Sequence, residues 1–246
     1  MQISVSLQTS HATPCSAVDA YAALRPKQAV RRAVKGRNVV QESDYAAHSM
    51  LLLTGWAALS KTLPEGGVQI IDVMLPGDFS LIGAAVAPVA AFTVEALTDI
   101  TYVTIPLEHV NGPAPEHAEL RELLTAMLVT AQARMSELLL RMGRSSAACR
   151  LAYTLLELYV RLEHLGLTRN GRFLLPMNQH KLGEFSGLSN VHVCRTMRRF
   201  ARSGLITNLD DHEISLNDLE TLSGLAGIDL ARFREEILLR RPQQRS

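Results

Sequence analysis

The sequence predicts an α+β protein with three parts: an N-terminal β-domain, a long helix and a C-terminal winged helix-turn-helix. Short apolar runs separated by turn residues, from Val34 to Ile105, predict the β-domain. An apolar repeat at spacings of three and four predicts the long helix within Glu116–Met142. Two short helical patterns around a glycine, followed by two short strands, predict the winged helix-turn-helix.

The composition of the 246-residue chain fits a globular protein of two domains, with 47% hydrophobic and 20% charged residues. There is no run of eighteen uncharged apolar residues and no N-terminal signal pattern, so neither a membrane span nor secretion is expected. The three cysteines are odd in number and far apart, which favours the reducing cytoplasm. The expected division is a mobile tail at 1–18, a β-domain at 19–112, a long helix at 113–143 and a last domain at 144–246.

The strand pattern of the β-domain is typical of a sandwich or barrel. Its clearest turn is Pro64-Glu65-Gly66-Gly67, which predicts a hairpin tip between Trp56–Leu63 and Val68–Leu75. The alanine-rich stretch Leu81–Ala91 is ambiguous and fits either a short helix or a loop.

The long helix carries a heptad pattern, in which apolar residues alternate at four and three positions. This pattern predicts a seam along which two helices pair, formed by Leu124, Leu128, Ala131, Met135, Leu138 and Met142. The alternative is an ordinary amphipathic helix packed on its own domain, since the stripe is narrow and just under three heptads long.

The segment Pro176–Ile206 predicts two short helices joined at Gly187, where a backbone without Cβ bends easily. Ser189 stands where the N-cap of the second helix is expected. That helix is predicted to carry Val193, Met197 and Phe200 inward. Leu205–Thr207 and Glu213–Leu216, separated by an Asp-rich turn, predict a β-wing.

The second of these helices is rich in arginine. Between Asn178 and Ile206 the charge is +4, from Lys181 and four arginines against Glu184, although the whole chain carries only +1. A helix of this charge is typical of one that enters a DNA major groove and contacts phosphates. The alternative is a solvated face of a helix that never meets DNA.

In this order, the three parts resemble the Crp/Fnr family of bacterial transcription regulators. The resemblance is tightest at Leu182-Gly183, Gly187-Leu188-Ser189, Val193, Arg195-Thr196 and Gly204-Leu205-Ile206, and it extends to Lys35-Gly36, Thr54-Gly55-Trp56 and Pro76-Gly77-Asp78-Phe79. It implies a cyclic-nucleotide-binding-like jelly roll, a dimerisation helix and a DNA-binding winged helix-turn-helix. It further implies a homodimer on double-stranded DNA with a roughly palindromic operator, and RNA polymerase is a further candidate partner.

The resemblance also assigns roles in DNA binding. Arg195 matches the family's base-reading arginine, whose guanidinium can grip guanine O6 and N7. Val191 stands where many relatives carry a base-reading Glu, which puts the family's usual operator sequence in doubt. The other candidates for base or phosphate contacts are Gln179, His180, Ser189, Asn190, His192, Arg198, Arg199 and Arg202.

The sensor half departs from relatives that bind cyclic AMP. Their cassette after the Pro-Gly-Asp turn contains a Gly-Glu and an Arg-Ser pair, whereas Ser80–Thr93 holds no Glu, Arg or Lys here, so cyclic AMP is not expected to bind in the family manner. Gly83 and Glu95 are interpreted as structural residues.

Only Cys15 lies where relatives cluster the cysteines of an iron–sulfur site, so no such cluster is expected. The spacing of His48, His109 and His117 gives no support for a haem site. Two alternatives remain for the ligand of the β-domain: an unknown small-molecule effector in an apolar pocket, or no ligand at all.

Two further readings stay open at this point. Cys194 beside Arg195 is either a redox-sensitive thiol that blocks DNA binding when oxidised or a small residue that only fills space.

The chain contains no HExxH, Walker, GxSxG or paired-cysteine zinc motif, so enzymatic activity is not expected. The alternative function is a dimeric interaction protein that kept the regulator fold without binding DNA.

Overall fold

The computed structural model describes residues 30–83, 88–112, 118–209 and 212–238. The expected tail at 1–18 and the first residues of the predicted long helix lie outside these ranges. So do residues 84–87, within the stretch that the sequence left ambiguous. The predicted order of β-domain, long helix and helical C-terminal domain is confirmed.

The β-domain is built from eight strands in two antiparallel four-stranded sheets, ordered β1-β8-β3-β6 and β2-β7-β4-β5. An apolar cluster containing Met50, Leu59, Met74 and Val94 draws residues from both sheets. The predicted hairpin tip is present between β4 and β5, where the N–H of Leu63 donates to the Gly67 carbonyl at 2.8 Å. The strands are β1 (Arg31–Ala33), β2 (Asn38–Val40), β3 (His48–Thr54), β4 (Ala57–Thr62), β5 (Val68–Met74), β6 (Phe79–Leu81), β7 (Thr93–Ala96) and β8 (Ile100–Pro106).

Two helices follow the sheets, a short α1 (Leu107–Asn111) and the long α2 (Ala118–Arg144). The predicted pairing seam on α2 is wrong for Leu124 and Leu138, which are 1% and 5% exposed within the chain's own core. Leu128 and Met142 are half-buried against the same cores, and Ala131 is also half-buried. Of the six predicted residues only Met135 is exposed, because most of this apolar stripe faces the chain's own domains.

A second apolar stripe on α2 lies in solvent, and the heptad pattern included only Met135 of it. It consists of Val129, Met135, Leu139 and Leu140, which are between 38% and 71% exposed. By length and composition alone, residues 121–143 could cross a membrane, with a mean hydropathy of 1.2 over the best eighteen-residue window, of which 22% is buried. Arg134 and Arg141 lie within this segment and bind protein groups, which anchors the helix against the chain. These four side chains therefore leave apolar surface of α2 exposed to solvent.

The C-terminal part packs around the buried helix α3 (Ala147–His164), whose N-cap Ser146 accepts a hydrogen bond from the Cys149 N–H. The last helix lies against α3, with the rings of Phe233 and Tyr153 5.5 Å apart. The guanidinium of Arg141 on α2 stacks on the Tyr153 ring at 4.3 Å. The remaining elements are β9 (Arg172–Leu174), α4 (Gln179–Ser186), α5 (Asn190–Arg202), β10 (Ile206–Asn208), β11 (Glu213–Leu216), α6 (Leu219–Ala226) and α7 (Leu230–Ile237).

A buried charged cluster joins the β-domain, α2 and α3; we call it the junction cluster, and it consists of Asp72, Asp78, Arg134, Glu157 and Arg161. Arg134 Nη2 lies 2.8 Å from Asp72 Oδ2, and Arg161 Nη1 lies 2.6 Å from Glu157 Oε1. Three carboxyls face two guanidiniums, and burial raises the pKa of Glu157 despite its proximity to Arg161. The cluster fixes the orientation of α3, and with it the C-terminal domain, relative to the sheets.

Candidate nucleic-acid interface

Helices α4 and α5 form a helix-turn-helix whose corner depends on two glycines. Gly187 ends α4 with φ +67°, a left-handed conformation that glycine adopts without a steric cost. A Cβ on Gly183 would lie 2.6 Å from the Leu188 carbonyl oxygen, so the turn can approach α4 only over a glycine. The start of α4 is capped by Asn178, whose Oδ1 accepts from the Lys181 N–H at 2.9 Å.

Helix α5 begins at the predicted N-cap. The Ser189 hydroxyl accepts from the His192 N–H and also lies 2.9 Å from His192 Nδ1. The predicted inward residues Val193, Met197 and Phe200 are buried, which confirms the orientation of the helix.

The opposite face of α5 borders an open groove of about 880 Å³. The groove brings together seven of the ten predicted DNA-contacting residues, together with Cys194 and Ser203; the seven are Gln179, Asn190, Val191, Arg195, Arg198, Arg199 and Arg202. His180, Ser189 and His192 are exposed but do not line it. His180 lies 3.2 Å from Glu184 on its own helix, and Ser189 and His192 bond each other.

The groove carries positive charge that the protein leaves uncompensated. Within the described ranges, Arg195, Arg198 and Arg202 are exposed and form no salt bridge. Salt bridges do engage several other cations, which are Lys61, Arg134, Arg141, Arg161, Lys181, Arg232 and Arg234. Arg199 has its guanidinium 6.0 Å from the Phe200 ring centre and is likewise outside these salt bridges. No acidic residue is among those that line the groove in the described part of the chain. Such a surface attracts a polyanion.

Lys181 is the exception among the cations that the sequence assigned to this segment. Its Nζ lies 2.7 Å from Glu95 Oε2 on β7 and 3.1 Å from Glu184 Oε2 on its own helix. Gln69 on β5 adds a second link, since its Nε2 donates to the Glu184 carbonyl at 2.6 Å. These contacts dock α4 on the β-domain, and sequence reasoning missed them because no local pattern pairs residues so far apart.

The β-wing is a three-stranded sheet in the order β10-β11-β9, so β9 joins the two strands that the wing pattern predicted. Its tip touches the chain just before α4, where the Leu175 N–H donates to the His212 carbonyl at 2.7 Å. The side-chain amide of Asn217 donates to the Gly204 carbonyl and to Thr207 Oγ1, which ties the wing to the end of α5. The described strands of the wing are therefore held next to the end of α5, beside the groove.

In the β-domain, the stretch that holds the ligand cassette in relatives carries few groups for a cyclic phosphate. Residues 80–83 and 88–94 include no Arg or Lys. Glu95 is engaged by Lys181, in agreement with its structural reading. A Cβ on Gly83 would lie 2.2 Å from the Ala46 carbonyl oxygen, so this glycine permits a close approach of two chain segments. The described part of this stretch therefore brings no cation that could pair with a nucleotide phosphate.

The fold and the groove define a DNA-binding regulator with a β-sandwich domain, and comparisons with known proteins agree. Residues 30–112 match the cyclic nucleotide-binding domain and residues 149–225 the Crp-like helix-turn-helix domain. The transcriptional activatory protein AadR of Rhodopseudomonas palustris is 31% identical over 175 residues, which cover 69% of this chain and 70% of that protein. The nitrogen fixation regulation protein FixK of Bradyrhizobium diazoefficiens is 28% identical over 86% of this chain and 89% of its own. The chain belongs to the Crp/Fnr family of transcription regulators.

Solved structures agree with this fold. FixK2 from Bradyrhizobium japonicum superposes with a TM-score of 0.72 at 24% identity, over 81% of this chain and 98% of that one. A CRP/FNR-family transcriptional regulator from Thermus thermophilus gives a TM-score of 0.65 at 22% identity, over 81% of this chain and 99% of that one.

Proposed function

We propose that this DNA-binding regulator acts as a homodimer on a roughly palindromic operator and is not controlled by cyclic AMP. The observation that carries the proposal is the groove along α5, which brings four exposed arginines together and, among the described residues, is lined by no acidic residue. Arg195, in the middle of the helix, reads a base. Arg198, Arg199 and Arg202 contact phosphates, and the start of α4 at Gln179 and His180 contributes further backbone contacts.

The exposed stripe of α2 supports the homodimer. Val129, Met135, Leu139 and Leu140 leave apolar surface in solvent, and burying such surface against an identical helix is favourable. Pairing through α2 gives a two-fold axis, so the two α5 helices face two half-sites about 34 Å apart, one turn of DNA.

The cassette region supports independence from cyclic AMP. A buried phosphate needs a cation or several donors in place of its water, and residues 80–83 and 88–94 bring no cation. We also propose that no iron–sulfur cluster controls the protein, because Cys149 and Cys194 lie in the C-terminal half and only Cys15 precedes them.

One experiment tests the DNA-binding proposal and the dimer together. The purified full chain is used to select duplexes from a random pool, and its mass is measured by sedimentation equilibrium. We expect a dimer that enriches an inverted repeat with half-sites one helical turn apart and whose affinity falls steeply with salt. A monomer or a single unrepeated half-site would contradict the dimer. Equal, salt-independent binding to every duplex would instead favour the interaction protein. In calorimetry, micromolar binding of cyclic AMP would contradict its proposed absence.

A further inference from the structure

The surface that faces DNA contains one feature that charge does not explain. Val191, in the first turn of α5, is 64% exposed. Among the described residues that line the groove it is the only aliphatic side chain, and its neighbours there are arginines, amides, a serine and a thiol. A single exposed valine elsewhere on a protein is ordinary. Here it lies on the surface that approaches the bases.

Val191 and Arg195 are one helical turn apart and therefore lie on the same face of α5. Four residues advance about 6 Å along a helix axis, and successive base pairs are about 3.4 Å apart along DNA. When Arg195 grips a guanine, the Val191 side chain thus lies near a base edge within about two base pairs of that guanine.

The major groove offers a valine one apolar partner, the C5-methyl group of thymine. The other base edges present donors or acceptors, which would lose water against the valine methyls without gaining a hydrogen bond. The β-branched side chain also has few rotamers, so little freedom is lost when it is buried.

We infer that Val191 selects a T·A pair through the thymine methyl, within two base pairs of the guanine read by Arg195 in each half-site. The inference rests on the proposed function, and it assigns to this chain a specificity determinant that is apolar, at a position where relatives carry a base-reading acid.

The test replaces each thymine of the selected operator in turn by deoxyuridine, which lacks only the methyl, in both half-sites at once. Dissociation constants are measured by fluorescence anisotropy at fixed salt. One position is expected to lose about fourfold affinity per methyl, or about tenfold or more for the symmetric pair, as expected for one buried methyl group. That position should lie within two base pairs of a guanine whose replacement by 7-deazaguanine, which removes the N7 acceptor, also weakens binding.

Two variants assign the effect to the side chain. V191A should bind the thymine operator more weakly than wild type and should no longer distinguish thymine from uracil. Its affinity should still fall when the guanine is replaced by 7-deazaguanine. V34A removes an equally exposed valine from the β-domain and should keep the full uracil penalty. The inference is overturned if no uracil position weakens wild-type binding more than about 1.5-fold, or if V191A discriminates as wild type does. Failure to select any operator would overturn the proposed function itself, which is a different result.

Discussion

Lys181 on the first helix of the helix-turn-helix forms an ion pair with Glu95 on strand β7, with Nζ 2.7 Å from Oε2. Partial burial acts to lower the pKa of Lys181, but hydrogen bonds to Glu95 and Glu184 outweigh it and raise this pKa above its ordinary value. The ammonium group thus stays charged and ties the DNA-binding domain to the β-domain. Because it is neutralised inside the protein, it does not add to the charge that faces DNA.

The strength of this tie can be measured with a double-mutant cycle on E95A and K181A. We expect a coupling energy of about 0.5–1 kcal/mol in urea unfolding, since the pair is only partly buried. The same cycle on the exposed pair Arg232–Glu236 of α7 is the control and should give less. K181A should leave the salt dependence of DNA binding unchanged. A smaller salt slope would mean that Lys181 contacts phosphate after all.

Glu157 in the junction cluster makes stability depend on pH. Burial raises its pKa above the ordinary value of 4.5, so the folded protein holds this proton to a higher pH than the unfolded chain does. Over that interval the folded state binds more protons, and wild-type stability falls as pH rises. The glutamine of E157Q resembles the protonated carboxyl group and does not ionise, so this variant does not share the fall in stability as pH rises.

The measurement compares urea unfolding of wild type and E157Q between pH 5 and 8. We expect the variant to become more stable relative to wild type as pH rises. Burial lowers the pKa of His164, but that residue is present in both proteins and its contribution cancels in the difference. A difference that stays constant with pH would show that Glu157 is ionised throughout.

The two apolar stripes of α2 should respond differently to substitution. L139E places a charge on the exposed stripe and should convert the dimer to a monomer that still unfolds cooperatively. L124A empties a site in the core and should cost about 2–5 kcal/mol of stability while the folded protein remains dimeric. Sedimentation equilibrium and urea unfolding separate the two outcomes. A dimeric L139E would place the interface elsewhere.

The arginines of the groove should divide into two kinds. R195A should lose about 1–3 kcal/mol on the selected operator, with much less effect on random DNA. R202A should weaken binding to both and reduce the salt slope by about 1. R232A removes an exposed arginine of α7 outside the groove and should change neither. Equal losses of R195A on operator and random DNA would reject its role in base reading.

The helix-turn-helix could be predicted because its determinants are local. The cap at Ser189, the turn at Gly187 and the inward positions of α5 all follow from residues within a few positions of one another. The wing strands follow from the same short-range logic. The division of α2 into a core stripe and an exposed stripe could not be predicted, because apolar residues occur on both faces and only the position of the sheets distinguishes them.

The amino-acid sequence by itself determined the class of fold, the order of its parts and the arginine-rich face of α5, since these depend on periodicity, capping and local charge. Only the tertiary structure decided which cations are free to meet DNA. Lys181, Arg134 and Arg161 are neutralised by carboxylates from distant segments. The physical reason is that a charge is compensated by whatever lies within a few ångströms in space, and folding alone brings those partners there.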